Sequence, residues 1–557
     1  MDLKINWKNL KSNWYFVISS VAFLCLNSRA TFAYGISILV SAFIVLKFSS
    51  THSSFLNTIN KYSVKLRIFS VWTAAGICIG LSEALYNRSL RSTDKIPFLN
   101  SYFGIDLTKV FYYCAPIAAL GAFMFVYICV AWFWQKFLTV MKELAPFDDL
   151  APWELATYLI LFVIVCGAMA VIFAKTGAFY PYDRYGVIYT CDSPMYINSF
   201  VSTSKSGFVH TLFGIFTAPF MGLPALLAKI LCAPPFLEAI IMNIVQIALL
   251  FLATFMLAKI MNLMPTKRVI FFIMNYCSYT YLLYTLTMEH YIIYLFWLSL
   301  LMLAIIRNSK FTTEIFMAAA GVISSSAVII IFLSKYSPFR NFREWLNDIT
   351  KIAAKFFVLL LAFGHFDTIF NLFTAIENAS RFTGKYLPWL EKIRQYTFFI
   401  RNCFLAPAAG RNFTHGLFKR IFMGLDELLK PSWQLFSMKS VSYIGILILV
   451  LCIVSAVINW KKISSRLAFT WIVLSFLLLC VLGWGTSENG LILYSLYFYW
   501  AFFMLIYQLI ASIEARIHIR FLIPLYFATN LYMFLMINLP AMKKLVDFAM
   551  RYYPIIN

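Results

Sequence analysis

Hydrophobic runs long enough to cross a bilayer alternate along this chain with short polar connections. A span takes about 20 mainly apolar residues, and the pattern predicts spans near 12–28, 31–48, 66–86, 109–134 and 153–175. Further spans are expected near 237–260, 269–286, 291–306, 315–334, 442–459, 467–484, 490–513 and 519–538. Between the fifth and the next, HTLFGIFTAPFMGLPALLAKILCAPPF is apolar but carries Pro219, Pro224, Pro234 and Pro235. That stretch is expected to break into short helices lying at the membrane interface.

The connections sort by charge. Lys4 to Lys11, Lys47 to Arg67, Lys259 with Lys267 and Arg268, Arg307 with Lys310, and Lys461 with Lys462 and Arg466 fall on one side, which the positive-inside bias makes cytoplasmic. The opposite, outer side receives Asp183 and Asp192, the turn holding Glu289 and His290, and the turn TSENG with Glu488. The region 335–441 is the least hydrophobic and carries Lys335, Arg340, Arg343, Arg381, Arg401, Arg411, Lys419 and Arg420. It is expected outside, because long loops translocate largely regardless of charge. Within it, Trp389, Leu390, Ile393, Tyr396 and Ile400 share one helical face, as do Leu417, Phe418, Ile421, Phe422, Leu425 and Leu428. Both sets predict amphipathic helices on the outer membrane surface. The stretch 353–375, interrupted by Gly364, His365 and Asp367, fits an interfacial segment or half of a re-entrant pair.

The expected fold class is an all-α polytopic membrane protein, a transmembrane helix bundle with outer-face interfacial helices. Four regions follow along the chain: a four-span region 1–150, a module with outer loops 151–334, a basic amphipathic region 335–441 and the last spans 442–557.

Composition agrees and narrows the function classes. With 62% hydrophobic and 12% charged residues and a mean hydropathy of +0.79, the chain lies far from soluble averages, where roughly a quarter of residues are charged. The net charge of +23 has no separate basic domain to sit in, so no nucleic-acid partner is expected. It reads as loop positives that set topology and touch membrane lipid, with some available to grip a phosphorylated ligand. The eleven cysteines are scattered without a CxxC pair and read as small buried hydrophobes. The run WYFVISSVAFLCLN after Lys4, Lys8 and Lys11 has the flanks of a signal peptide, but a second apolar run follows closely, and a retained helical hairpin is the expectation.

Candidate chemistry concentrates in YDRYGVIYTCDSPMYINSF, residues 182–200. Asp192 lies among aromatic residues and next to Ser193 and Pro194, so partial desolvation raises its basicity toward that of a useful general base. A carboxylate at the water interface suits deprotonation of a hydroxyl that attacks an anomeric carbon while a phosphate leaves. The leaving phosphate calls for cationic help, which Arg340, Arg343 and Arg411 supply in bidentate form.

CDSPMYINSF followed by HTLFGIFTAPF resembles the first outer loop of GT-C glycosyltransferases, in which an aspartate is followed by a tyrosine and then by a histidine or a proline-rich helix. The resemblance covers about residues 150–330. It implies Asp192 as catalytic base, with Tyr196 and His210 as ligand contacts. MEHYIIYLFWLSL places Glu289 and His290 where that family often carries a second acidic residue. Two features depart from the family pattern. Four spans precede the module, and Asp192 is followed by Ser193 rather than a second carboxylate, which leaves divalent-metal use open; no cofactor is assigned. Asp183 is the alternative base, Glu289 also fits a helix-start carboxylate, and Glu488 is a further outer-face candidate.

The function this implies is a multi-pass glycosyltransferase of the cytoplasmic (inner) membrane. It takes a sugar from a polyprenyl-phosphate carrier and passes it to a surface glycan or lipid acceptor on the outer face. A transporter or flippase of lipid-linked glycans, and a glycan polymerase or ligase, are the alternatives.

Overall fold

A computed structural model describes residues 14–27, 39–44, 60–93, 107–180, 210–336, 338–363, 377, 380, 383–384, 387–406, 441–485, 491–518 and 521–555. In chain order the helices are α1 (Trp14–Asn27), α2 (Val64–Thr93), α3 (Leu107–Leu144), α4 (Pro152–Phe173), α5 (Phe213–Ile230), α6 (Pro235–Ile260), α7 (Pro265–Tyr276), α8 (Tyr279–Leu286) and α9 (Tyr291–Ile306). There follow α10 (Thr312–Val322), α11 (Phe342–Ala362), α12 (Trp389–Phe404), α13 (Tyr443–Ile458), α14 (Ile463–Ser475), α15 (Ser495–Ile517), α16 (Leu522–Met533) and α17 (Leu539–Tyr552). Two π-helical segments, Phe476–Val481 and Phe534–Asn538, continue α14 and join α16 to α17. The protein is an all-α polytopic membrane helix bundle. Among the described residues eight helices are long and apolar enough to cross a membrane, or nine if α7 and α8 form one bent span.

The chain forms two compact units. One is built from Met1–Glu143, Ile197–Pro234 and Ala320–Phe370, the other from Leu144–Tyr196, Pro235–Ala319 and Asn371–Asn557.

In the first unit α2 packs along α5 through two glycines. A Cβ on Gly76 would lie 1.8 Å from the Gly222 carbonyl oxygen, and one on Gly222 would lie 2.6 Å from that of Thr73. Small residues let membrane helices approach to backbone contact. This overturns the expectation of short interfacial helices over 210–235. Phe213–Ile230 is a single helix that holds Pro219 and Pro224 inside it, and eleven of its residues are buried. The missing proline N–H groups are tolerated because packing against α2 offsets them, as neighbouring helices do in membranes. Phe133, Trp134 and Phe137 of α3 surround Phe220 edge-on and hold the other flank of α5.

The second unit has two distinct ends. At one, the basic end, Arg268 meets Asp149 and Glu154, Lys259 meets Asp149, Lys267 meets Glu514 at 2.9 Å, and Arg307 donates to the Leu144 carbonyl. Gln508 bonds Ser464 and Ser512 bonds Asn459 there, at 3.0 and 2.8 Å. These contacts gather the start of α4, the end of α6, the start of α7, the end of α9 and the turn between α13 and α14 beside the C-terminal part of α15. At the far end Thr176 donates to the Tyr553 carbonyl at 2.8 Å, and Gly384 N–H to that of Gly483 at 2.8 Å.

Helix α7 stops at Tyr276 because Ser278 starts a new helix, its hydroxyl accepting from Tyr281 N–H, and α8 leaves at 69°. The broken backbone finds partners in its neighbours: Asn538 donates to the carbonyls of Cys277 and Phe404 at 2.8 and 2.9 Å and accepts from Ala406 N–H at 2.8 Å. Thr280 donates to the Cys403 carbonyl at 2.8 Å. Helix α12 therefore ends inside the unit, against the break. This corrects its expected place on the outer surface: Tyr396, Thr397, Phe399, Ile400, Asn402 and Cys403 are buried, and Tyr396 bonds Ser475 at 2.8 Å. Its apolar face is wide enough to be covered by α8, α13, α15 and the Phe476–Val481 segment, which a bilayer surface would cover on one side alone. The second amphipathic set, Leu417 to Leu428, lies outside the described residues.

Candidate functional site

Helices α7, α8 and α9 form a hairpin shorter than the helix beside it. At 1.5 Å per residue, α6 is about 39 Å long and α9 about 24 Å. Both reach the basic end, so the turn between α8 and α9 stops part-way along α6. Gln246, about 17 Å from the first residue of α6, donates through Nε2 to the Glu289 carbonyl at 3.3 Å. One helical turn nearer the far end, Asn243 donates to the Thr285 carbonyl at 3.1 Å.

Glu289 and His290 therefore sit recessed within the bundle, 2% and 3% exposed, with Glu289 Oε2 3.1 Å from His290 Nδ1. His290 is the residue from which α9 starts, and Glu289 N–H donates to the Thr287 carbonyl at 3.1 Å. An ionisable pair at such a depth costs free energy, which makes it a candidate functional site.

Aromatic rings surround the pair. The His290 ring lies 4.0 Å from that of Tyr291, and Tyr291 meets Tyr284, Tyr497 and Tyr494 edge-on. Tyr294, one turn below, stacks on Tyr497 at 4.3 Å. Trp471 and Trp500 both donate to the Tyr497 carbonyl, at 2.7 and 3.0 Å, and Tyr284 donates to that of Leu493. Beneath the pair every residue of α9 from Tyr291 to Ile305 is buried.

The basic end holds another polar group of the unit. Arg268 is fully buried and reaches Glu154 Oε1 through Nε at 2.8 Å and Oε2 through Nη2 at 2.7 Å. Its Nη1 reaches Asp149 Oδ2 at 2.8 Å, and Tyr158 donates to Glu154 Oε1 at 2.8 Å. Two cations, Arg268 and Lys259, meet two carboxylates, and bidentate geometry satisfies the buried charges. Burial pushes the Asp149 carboxyl up, but its hydrogen bonds to Lys259 and Arg268 and their charges outweigh this and hold it down to about 2. This is a brace, with its donors and acceptors spent on one another.

The residues singled out from the sequence fall in three places. Glu289 and His290 are brought together. His210 belongs to the first unit, at the start of α5, with Nδ1 3.1 Å from the Val322 carbonyl oxygen. Arg340 and Arg343 are exposed at the start of α11, also in the first unit. Asp183, Asp192, Tyr196, Arg411 and Glu488 lie outside the described residues. Sequence reasoning missed Gln246 and Asn243, whose signal was two amides, one turn apart, in an otherwise apolar run. It also took Arg268 for a loop cation, although Glu154 and Tyr158 at helical spacing mark a polar face on α4. No group of three or more His, Cys, Asp or Glu gathers to hold a metal among the described residues.

No protein-family model matches the chain, and neither a curated protein nor a solved structure is detectably similar to it.

Proposed function

We propose that the chain is a glycosyltransferase of the cytoplasmic membrane that takes a sugar from a polyprenyl-phosphate carrier and transfers it to a glycan or lipid acceptor on the outer face. The observation that carries this reading is the Glu289–His290 pair, recessed below the far end of the second unit and closed off beneath. Between the pair and the basic end every residue of α9 from Tyr291 to Ile305 is buried. A bundle packed beneath the pair favours a transferase over a conduit.

In this account Asp192, which follows α4 in the sequence, takes the proton of the acceptor hydroxyl. The acceptor oxygen forms a bond to the anomeric carbon, and the bond from that carbon to the carrier phosphate breaks. Positive charge develops on the sugar in the transition state, and the Glu289 carboxylate, held by His290, stabilises it in a setting that excludes water. Arg411 is the candidate for the departing phosphate.

The broken helix α7–α8, with α12 ending against it, favours a second reading, transport of a lipid-linked glycan, because discontinuous helices line the substrate sites of many transporters. Purified protein offered a panel of polyprenyl-phosphate sugars and a surface glycan separates the two. Consumption of one donor with glycosylation of the acceptor supports the transferase. A folded protein that consumes none, and moves a labelled lipid-linked glycan across a vesicle membrane, supports the transporter.

A further inference from the structure

Gln246 is fully buried, and its two amide ends differ. Nε2 donates to the Glu289 carbonyl, which fixes the orientation, since the flipped amide would set two oxygens against each other. Oε1 is then left buried with no hydrogen-bond partner among the described residues. A buried acceptor without a donor costs free energy, and each such group in a folded protein calls for an explanation.

The surroundings narrow what can supply the donor. Two amide donors at this turn are already used: Gln246 Nε2 on the Glu289 carbonyl and Asn243 Nδ2 on the Thr285 carbonyl. A ligand bearing hydroxyl groups would supply the donor that Gln246 Oε1 lacks.

We infer that Gln246 Oε1 accepts a hydrogen bond from a sugar hydroxyl of the ligand received at Glu289 and His290, so that Gln246 distinguishes a glycosylated carrier from a bare one. The identity of the carrier rests on the transferase reading; the acceptor geometry does not. A site built to bond a hydroxyl discriminates against the analogue that lacks it, because its own polar group is then left unpaired.

The test uses full-length protein in detergent and two kinds of probe, bare undecaprenyl phosphate and undecaprenyl phosphate carrying glucose, galactose or N-acetylglucosamine. Wild-type protein is expected to bind at least one glycosylated carrier roughly tenfold or more tighter than the bare one. Gln246→Met is expected to lower that ratio roughly tenfold, the scale of one hydrogen bond, with bare-carrier affinity unchanged. Should Gln246→Met not fold, Gln246→Asn, which keeps the amide but withdraws its oxygen by one carbon, is read in the same way. A preference that survives in the variant, or a wild-type protein that prefers no glycosylated carrier, overturns the inference. Preference that depends on Gln246 without any sugar transfer upholds the inference and removes the transferase reading; transfer that ignores Gln246 does the reverse.

Discussion

Arg268 and Glu154 face each other through two parallel hydrogen bonds of 2.8 and 2.7 Å, with both side chains out of contact with solvent. The pair ties the first turn of α7 to the first turn of α4. Removing one partner of a buried pair leaves an uncompensated charge and costs about 3–5 kcal/mol. Arg268→Met should therefore lower the unfolding temperature of the purified protein by several degrees, and Arg268→Met with Glu154→Leu should recover more than half of the loss. An Arg268→Met protein that unfolds at the wild-type temperature contradicts the brace.

Asp149 makes the same brace sensitive to acid. Its folded pKa of about 2 lies below the usual unfolded value of about 3.9, so protonation favours the unfolded chain. The contribution is present in full above the unfolded value and is lost as pH falls toward the folded one. The stability difference between wild type and Asp149→Asn should shrink between pH 5 and pH 2; a constant difference would show that Asp149 has no part in the brace.

Gly76 and Gly222 set how closely α2 and α5 approach. A side chain at Gly76 meets backbone rather than a movable side chain, so Gly76→Val should separate the helices and lower the yield of folded protein. The same substitution at Gly167, which has nothing within 4 Å of a built Cβ, should be tolerated. Equal expression of the two variants in membranes would show that the close approach does not matter.

These glycines also explain what sequence reading saw and what it missed. The long apolar runs of α4, α6 and α15 were legible because their composition alone demands a membrane helix. Helix α5 was misread because proline signals a break locally, whereas the compensating contact comes from Gly76, far away in the chain. Helix α12 was misread because amphipathicity reports that one face is covered without reporting by what. Glu289 and His290 were legible as a polar interruption between two apolar runs. Their depth was not, since it follows from how far α9 and α6 each extend from the basic end. Gln246 was invisible for the same reason: an amide in an apolar helix acquires meaning from the turn it faces.

The two ends of the second unit should lie on opposite sides of the membrane. Lys175, just beyond α4, and Lys461, between α13 and α14, are both exposed and belong to opposite ends. In a cysteine-free background, Lys175→Cys should react with a membrane-impermeant maleimide added to intact cells, and Lys461→Cys should react only after the cells are opened. Labelling of both from the same side contradicts the topology.

If Glu289 acts in the transition state of sugar transfer, Glu289→Gln should slow the transfer step itself. The amide keeps the size of the carboxylate and its reach toward His290 while removing its charge. With thermal unfolding matched to wild type, donor affinity is measured by equilibrium binding and transfer by single-turnover rate on the polyprenyl-phosphate sugar the wild type consumes. We expect a transfer rate lower by roughly 10² to 10³, the scale of one lost electrostatic contact to the transition state, with donor affinity changed less than about threefold. A Glu289→Gln protein that transfers sugar at the wild-type rate would contradict it.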